Sequence, residues 1–211
     1  MTANRLVILS GPSCLGKTPL VRWLRKGFPE LMDPMRPLVL YNSRAPRPGE
    51  TDGESYHFRS KERLDAMRND RRYAVVSVRN DLQAVDLQRL AATLAERAVF
   101  FEGSPAVAEF LRNHAAEQGV PRLAMFVVPL SRTEITALHR AGADLDTLVA
   151  DMMLRKQLRR AQRLGLPLTR ASLADLETRA AAAAKELRMA PRFDHVLPNH
   201  DGEDSEHWDM Y

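Results

Sequence analysis

The chain has 211 residues, 45% apolar and 27% charged, with 31 basic against 27 acidic side chains for a formal charge of +4. These are globular values and the length supports one sizeable core, which excludes a disordered or repetitive polymer. No apolar run reaches the ~20 residues a bilayer crossing needs, the N-terminus lacks the basic-then-apolar order of a secretory signal, and a single cysteine, Cys14, excludes an internal disulfide. The expectation is a cytoplasmic protein with no membrane partner. A basic chain suits either a polynucleotide or small phosphorylated ligands. Its arginines gather around Arg44 and between Arg132 and Arg163 rather than in one aromatic-interleaved stripe, so a small ligand is expected and a nucleic acid polymer is not.

The first element predicted is a strand, Leu6-Val7-Ile8-Leu9, which runs through Ser10 into Gly11-Pro12-Ser13-Cys14-Leu15-Gly16-Lys17-Thr18 and then an apolar-periodic helix with Leu20, Trp23, Leu24 and Phe28. This is a G-x-x-x-x-G-K-[ST] phosphate loop in its required strand-to-helix setting. Gly11 and Gly16 let the backbone curl with its N–H groups inward, a concave anion site that the helix dipole reinforces. Lys17 brings a positive charge to the outer phosphates, and the Thr18 hydroxyl is placed to ligate a bridging Mg2+. Cys14 sits inside the loop, where inward N–H groups can lower a thiol pKa, but it reads as filler. Pro19, in the first helical turn, is sterically tolerated but has no N–H, so the contact to the innermost phosphate is expected to be weakened.

Leu38 to Tyr41 reads as a second strand, followed by Arg44-Ala45-Pro46-Arg47-Pro48-Gly49-Glu50. Pro46 and Pro48 favour a polyproline path that repeats every three residues, which puts Arg44 and Arg47 on one side as a clamp for a single phosphate. Asp52-Gly53 is a turn signal that folds Tyr56 back towards them.

These two motifs, with Gly53, Tyr56 and Phe58 and weaker similarity at Phe193-Asp194-His195-Val196, resemble the guanylate kinase family. The resemblance implies an α/β P-loop kinase: a parallel core sheet flanked by helices (1–37, 98–130 and 165–211), a small acceptor-binding region (about 38–97) and a helical lid (about 131–164). It further implies ATP and Mg2+, a phosphorylated small-molecule acceptor whose phosphate is held by Arg44, Arg47 and Tyr56, and lid arginines, with Arg155, Arg159 and Arg140 as candidates. Asn199 matches the family's asparagine beside the donor adenine.

Departures fall on the acceptor side. Val75 falls where the family has a base-reading glutamate and Leu40 where it often has a serine; a valine cannot accept hydrogen bonds from guanine. Arg79, Asn80, Asp81 and Gln83 either recognise a different acceptor or form an ordinary polar turn. Asp86 is expected to cap a helix to Arg97 and is also a candidate acceptor contact. Ala98 to Gly103 reads as a buried strand that delivers Glu102 to its C-terminal end, as a metal or acceptor ligand. Helices are expected from Pro105 to about Gln118, from Asp144 to Leu164 and from Ser172 to Arg188, with strands at Leu123–Val128 and Phe193–Leu197. The expected activity is transfer of the ATP γ-phosphoryl group to a nucleoside monophosphate other than, or in addition to, GMP. A ribose bisphosphate-type phosphosugar kinase and a silent phosphopeptide- or nucleotide-binding module remain alternatives, the second disfavoured by the intact Lys17-Thr18 pair.

Overall fold

A computed structural model describes residues 5–47, 49–203 and 205–210. Strand β1 (Leu6–Ser10) leads through the glycine-bearing loop into α1 (Lys17–Gly27) and the short α2 (Pro29–Met32). Two-residue strands β2 (Arg36–Pro37), β3 (Tyr41–Asn42) and β4 (His57–Phe58) precede α3 (Lys61–Ala66). The hairpin β5 (Tyr73–Val78) and β6 (Asp81–Asp86) is followed by α4 (Leu87–Glu96), β7 (Val99–Gly103), α5 (Pro105–Glu117) and β8 (Arg122–Val128). Three helices follow, α6 (Arg132–Arg140), α7 (Leu145–Arg163) and α8 (Arg170–Leu187), and then β9 (His195–Pro198).

Local chemistry sets several of these boundaries. Asp86 caps α4 by accepting from the Arg89 amide at 3.0 Å, and Asp144 caps α7. Helix α6, absent from the sequence reading, carries a full capping box between Ser131 and Glu134. Because that box and His200 all bond the Glu134 carboxylate, its pKa falls to about 2.

The backbone divides into two units: residues up to Ile8 with Asp33–Leu123, and Leu9–Met32 with Ala124 onwards. In the first, β2 runs parallel to β7, with Arg36 opposite Val99 and Pro37 opposite Phe100, and β7 neighbours β1. Leu38 to Tyr41, expected as one strand, is divided between two sheets. The Leu38 amide still donates to the Phe100 carbonyl at 2.8 Å, after which the chain leaves that sheet and Tyr41–Asn42 joins a second one ordered β4-β3-β6-β5. Pleating sorts the second sheet's side chains. Tyr41, Val75, Leu82 and Ala84 pack with Leu64 and Met67 under α3, while the cross-strand partners Asn42, Gln83 and Val76 project from the opposite face.

In the second unit the end of β1 neighbours β8, and β8 runs parallel to β9, with Met125 opposite His195. Gly11 closes β1 at φ 141°, and a Cβ there would lie 2.5 Å from the Val127 carbonyl oxygen. Neither that backbone angle nor a collision with another backbone atom can relax cheaply. Gly11→Ala is therefore expected to cost about 3 kcal/mol of stability, or roughly 6–12 °C in Tm, read from a thermal melt.

Candidate active site in two parts

The phosphate loop lies wholly in the second unit. Ser10, Gly11, Pro12, Cys14, Leu15, Gly16 and Lys17 are buried, Ser13 is half-buried and Thr18 is exposed. Gly11, Cys14 and Gly16 all take positive φ, which bends the chain around a hollow. The Lys17 ammonium crosses the loop, donating to the Gly11 carbonyl at 2.9 Å and the Pro12 carbonyl at 2.6 Å. Asn199 braces the loop from outside, donating its Nδ2 to the Leu15 carbonyl at 2.8 Å. A Cβ on Gly16 would come within 2.5 Å of that Nδ2 and 3.0 Å of both Gly202 and Trp208, so the C-terminal segment lies directly on the loop. Pro19 is the third residue of α1, where the missing N–H costs the helix nothing.

The loop amides do not lower the Cys14 pKa. Burial first, then the Glu203 carboxylate, push the Cys14 pKa up, and the opposing pull of Arg160 and Arg179 does not overcome them. Loop amides act on a ligand in the hollow, whereas the Cys14 side chain is only 1% exposed and is turned into the core. Thiol-reagent labelling is expected to be at least ~10-fold slower in native than in denatured protein, and equal rates would refute the placement.

The same electrostatics identify two cations that the sequence reading did not select. Arg155 and Arg159 lie on the exposed face of α7. One position further round, Lys156 is buried and donates to the His200 carbonyl, and Arg160 pairs with Glu203 at 2.9 Å while acting on Cys14. One residue turns a helix by about 100°, and that step separates the solvent face from the loop face. Arg179 of α8, 7% exposed, pairs with Asp175 at 3.0 Å and also acts on Cys14. Its signal was present in the sequence, as a lone arginine on the otherwise apolar stripe of Leu176, Ala180 and Ala183.

In the first unit, Arg44 donates both guanidinium ends to Glu50, 2.6 Å on each oxygen, and the Arg47 amide donates to the same carboxylate at 2.7 Å. The Arg44 guanidinium lies over the Tyr56 and Phe58 rings, 5.2 and 5.6 Å from their centroids. Burial raises the Glu50 pKa, but the hydrogen bonds from Arg44 and Arg47 outweigh it and hold the carboxyl below its ordinary value. Burial is also the main cause of the raised Tyr56 pKa; the Glu50 and Glu102 carboxylates push the same way, and the Arg44 and Arg47 charges oppose them without overcoming them. Arg44, Glu50 and Tyr56 are thus brought into one cluster, which the Arg47 backbone amide joins and on which the Glu102 charge acts from nearby, and Glu50, which the sequence reading left without a role, is its hub. The turn at Asp52-Gly53 forms as expected, with the Gly53 amide on the Tyr56 carbonyl at 2.8 Å. Pro48, the second proline of the expected polyproline path, lies outside the described residues.

Other expected acceptor contacts are placed differently. The Asp86 carboxylate is shared between the α4 amide and Arg72, the latter at 2.7 Å, so its place is structural. Arg79 forms the β5–β6 turn at φ 56°. Val75 faces α3, not the Asn42–Gln83 face, because one residue reverses a strand side chain. On the opposite face of β5 lie Ala74, Val76 and Val78, which carry no acceptor, with Asp81 directly across from Val78.

A phosphate loop at the end of a parallel-sheet strand, with a guanidinium cluster elsewhere in the chain, defines an α/β P-loop protein with two candidate anion sites. The guanylate kinase family profile matches residues 3–81. A guanylate kinase from Nocardia farcinica is 48% identical over 64 residues, 30% of this chain and 31% of that protein. One from Thiobacillus denitrificans is 28% identical over 199 residues, 93% of this chain and 78% of that protein. The crystal structure of guanylate kinase from Anaplasma phagocytophilum superposes with a TM-score of 0.61 at 16% identity, covering all of this chain and 83% of that one. The chain is similar to guanylate kinases, with the family-profile match confined to residues 3–81, and it spans about a third of the length of the Nocardia relative.

Proposed function

We propose that this chain transfers the γ-phosphoryl group of ATP to the phosphate of a nucleoside monophosphate, GMP among those accepted but not singled out. The observation that carries the reading is the pairing, in one chain, of a loop complete through Lys17 and Thr18 with the Arg44–Glu50–Arg47–Tyr56 cluster. ATP supplies the phosphoryl group and Mg2+ its charge neutralisation. The described residues hold no group of three His, Cys, Asp or Glu side chains fit for a metal. Mg2+ needs none here, because it is commonly held by one or two protein oxygens and the phosphates themselves, for which Thr18 is the candidate in the second unit and Glu102, separately, in the first.

The residues' tasks follow from charge and reach. Lys17 exchanges its loop carbonyls for the donor's outer phosphates. Arg160 and Arg179 neutralise charge beside the loop, a task assigned from the sequence to Arg155 and Arg159. Arg44 and Arg47 orient the acceptor phosphate, whose oxygen is already ionised at neutral pH and needs no general base.

The deciding experiment couples ADP release to acceptor identity, comparing GMP, other nucleoside monophosphates and a ribose bisphosphate. Acceptor-dependent ADP release with a monophosphate supports the reading, and release with the phosphosugar alone overturns it. In the same assay Pro19→Ser, which restores an amide and a hydroxyl at the innermost phosphate, is expected to lower the KM for ATP about three- to ten-fold, one hydrogen bond's worth.

A further inference from the structure

The face of α7 that carries Arg160 is tied to the C-terminal segment of the second unit at three points. Lys156 donates to the His200 carbonyl, Arg160 Nε pairs with Glu203 Oε2 at 2.9 Å, and Arg163 pairs with Asp209 at 3.0 Å. Positions i, i+4 and i+7 share one helix face, so one stretch of chain meets all three. The ties are not equivalent. Lys156 meets a neutral carbonyl, and the Arg163–Asp209 pair is open to water, where such pairs contribute little. The Glu203 side chain is 13% exposed, and it is a full negative charge beside a phosphate loop.

A braced stretch of backbone delivers that carboxylate. On one side Asn199 is fixed to the Leu15 carbonyl of the loop. On the other, Trp208 Nε1 donates to the Gly202 carbonyl at 2.7 Å, and the Asp201 carboxylate accepts from Ser205 Oγ at 3.1 Å and bonds to His207 Nδ1 at 2.7 Å. After burial, which acts most strongly on the Cys14 thiol, Glu203 raises its pKa and Arg160 and Arg179 lower it, Arg160 also through a hydrogen bond. Both members of the Glu203–Arg160 pair therefore reach the loop.

A carboxylate in this place repels a polyphosphate, so any gain from it comes through the cation it holds. A guanidinium bonded at Nε has its plane fixed and keeps its terminal N–H groups, the arrangement that suits a phosphate oxygen. Resting on the kinase reading, we propose that Glu203 is a positioning residue for phosphoryl transfer, aiming Arg160 at the transferring phosphoryl group at the expense of donor affinity. The carboxylate touches no substrate and moves no proton.

The test compares Glu203→Gln, Arg160→Met and the double variant, each confirmed as folded by a thermal melt. Two quantities are read: acceptor-dependent ADP release, and calorimetric titration of the full chain with Mg-ATP in the absence of acceptor. Glu203→Gln is expected to lower kcat about ten-fold, while ATP binds as tightly as before or up to about three-fold tighter. In the Arg160→Met background the same change should lower kcat by less than about two-fold, because the residue it acts through is gone. ATP affinity lost in step with kcat is what a merely structural role gives and would overturn the proposal, as would an unchanged kcat or equal effects in both backgrounds. Glu203→Asp, which keeps the charge but falls one methylene short, provides the same test if Glu203→Gln does not fold, with kcat about three-fold lower and ATP affinity unchanged. Any of those overturning results, with transfer by the unsubstituted chain intact, removes only the positioning role. Absence of transfer by the unsubstituted chain removes the kinase reading and this role together.

Discussion

Replacing Lys17 by methionine is expected to lower ATP-dependent phosphoryl transfer by about 10²–10³-fold while the chain remains folded. The effect is large because the ammonium is 7% exposed and acts in a site from which water is largely excluded, where a charge aimed at the transferring phosphoryl group is barely screened. Methionine keeps the apolar stem, so the packing beneath the loop survives. What is lost at rest is the pair of hydrogen bonds to the Gly11 and Pro12 carbonyls, each worth about 1–2 kcal/mol. A thermal melt should therefore show a modest decrease, and steady-state kinetics a collapse in kcat. Near-normal kcat in a folded K17M protein would remove the proposed mechanism altogether.

Arg44→Lys should have the second largest effect, lowering kcat/KM for the acceptor by about 10²-fold with the KM for ATP within about two-fold. Lysine keeps the charge but cannot reproduce the two-pronged bond to Glu50. It also loses the planar stack over Tyr56 and Phe58. Glu50→Gln, which leaves the arginine in place but loosens it, is expected to show a smaller loss of the same kind, mainly in acceptor KM. The fork also imposes a pH dependence. Because the folded pKa of Glu50 is depressed, its stabilising contribution is complete above the ordinary carboxyl value and is lost as pH falls through the lower folded value. Acid titration of the unsubstituted chain should show this component, and E50Q should lack it. Identical acid profiles would mean that the carboxylate does not hold the arginine in solution.

Much of this arrangement was legible in the residues. The loop Gly11–Thr18 was readable because its glycines are required by backbone geometry: the Gly11 and Gly16 φ values, and the atoms a Cβ would strike, leave little choice of residue. The cap at Asp86 was readable because a cap is a contact of two to three residues' reach. The Arg44, Arg47 and Tyr56 grouping was readable for a similar reason, since two prolines and a turn confine a short segment. Glu50 was not, although it lies only six residues from Arg44. An exposed-looking glutamate carries no sign in sequence of which cation it will meet.

The chain alone thus determined the anion-binding chemistry and the alternation of strands and helices around it, because those depend on local dihedral freedom and on the spacing of apolar side chains. Tertiary structure decided which cations lie beside the loop. Arg155 and Arg160 differ by where the long helix α7 rests against the C-terminal segment, and periodicity without a fixed phase cannot choose between faces. It decided the state of Cys14, whose pKa depends on burial by residues nearly 200 positions away. It also placed Val75 on the α3 face and Asn42 on the other, because the side of a strand that a residue occupies is set by the pairing of sheets and not by its own chemistry.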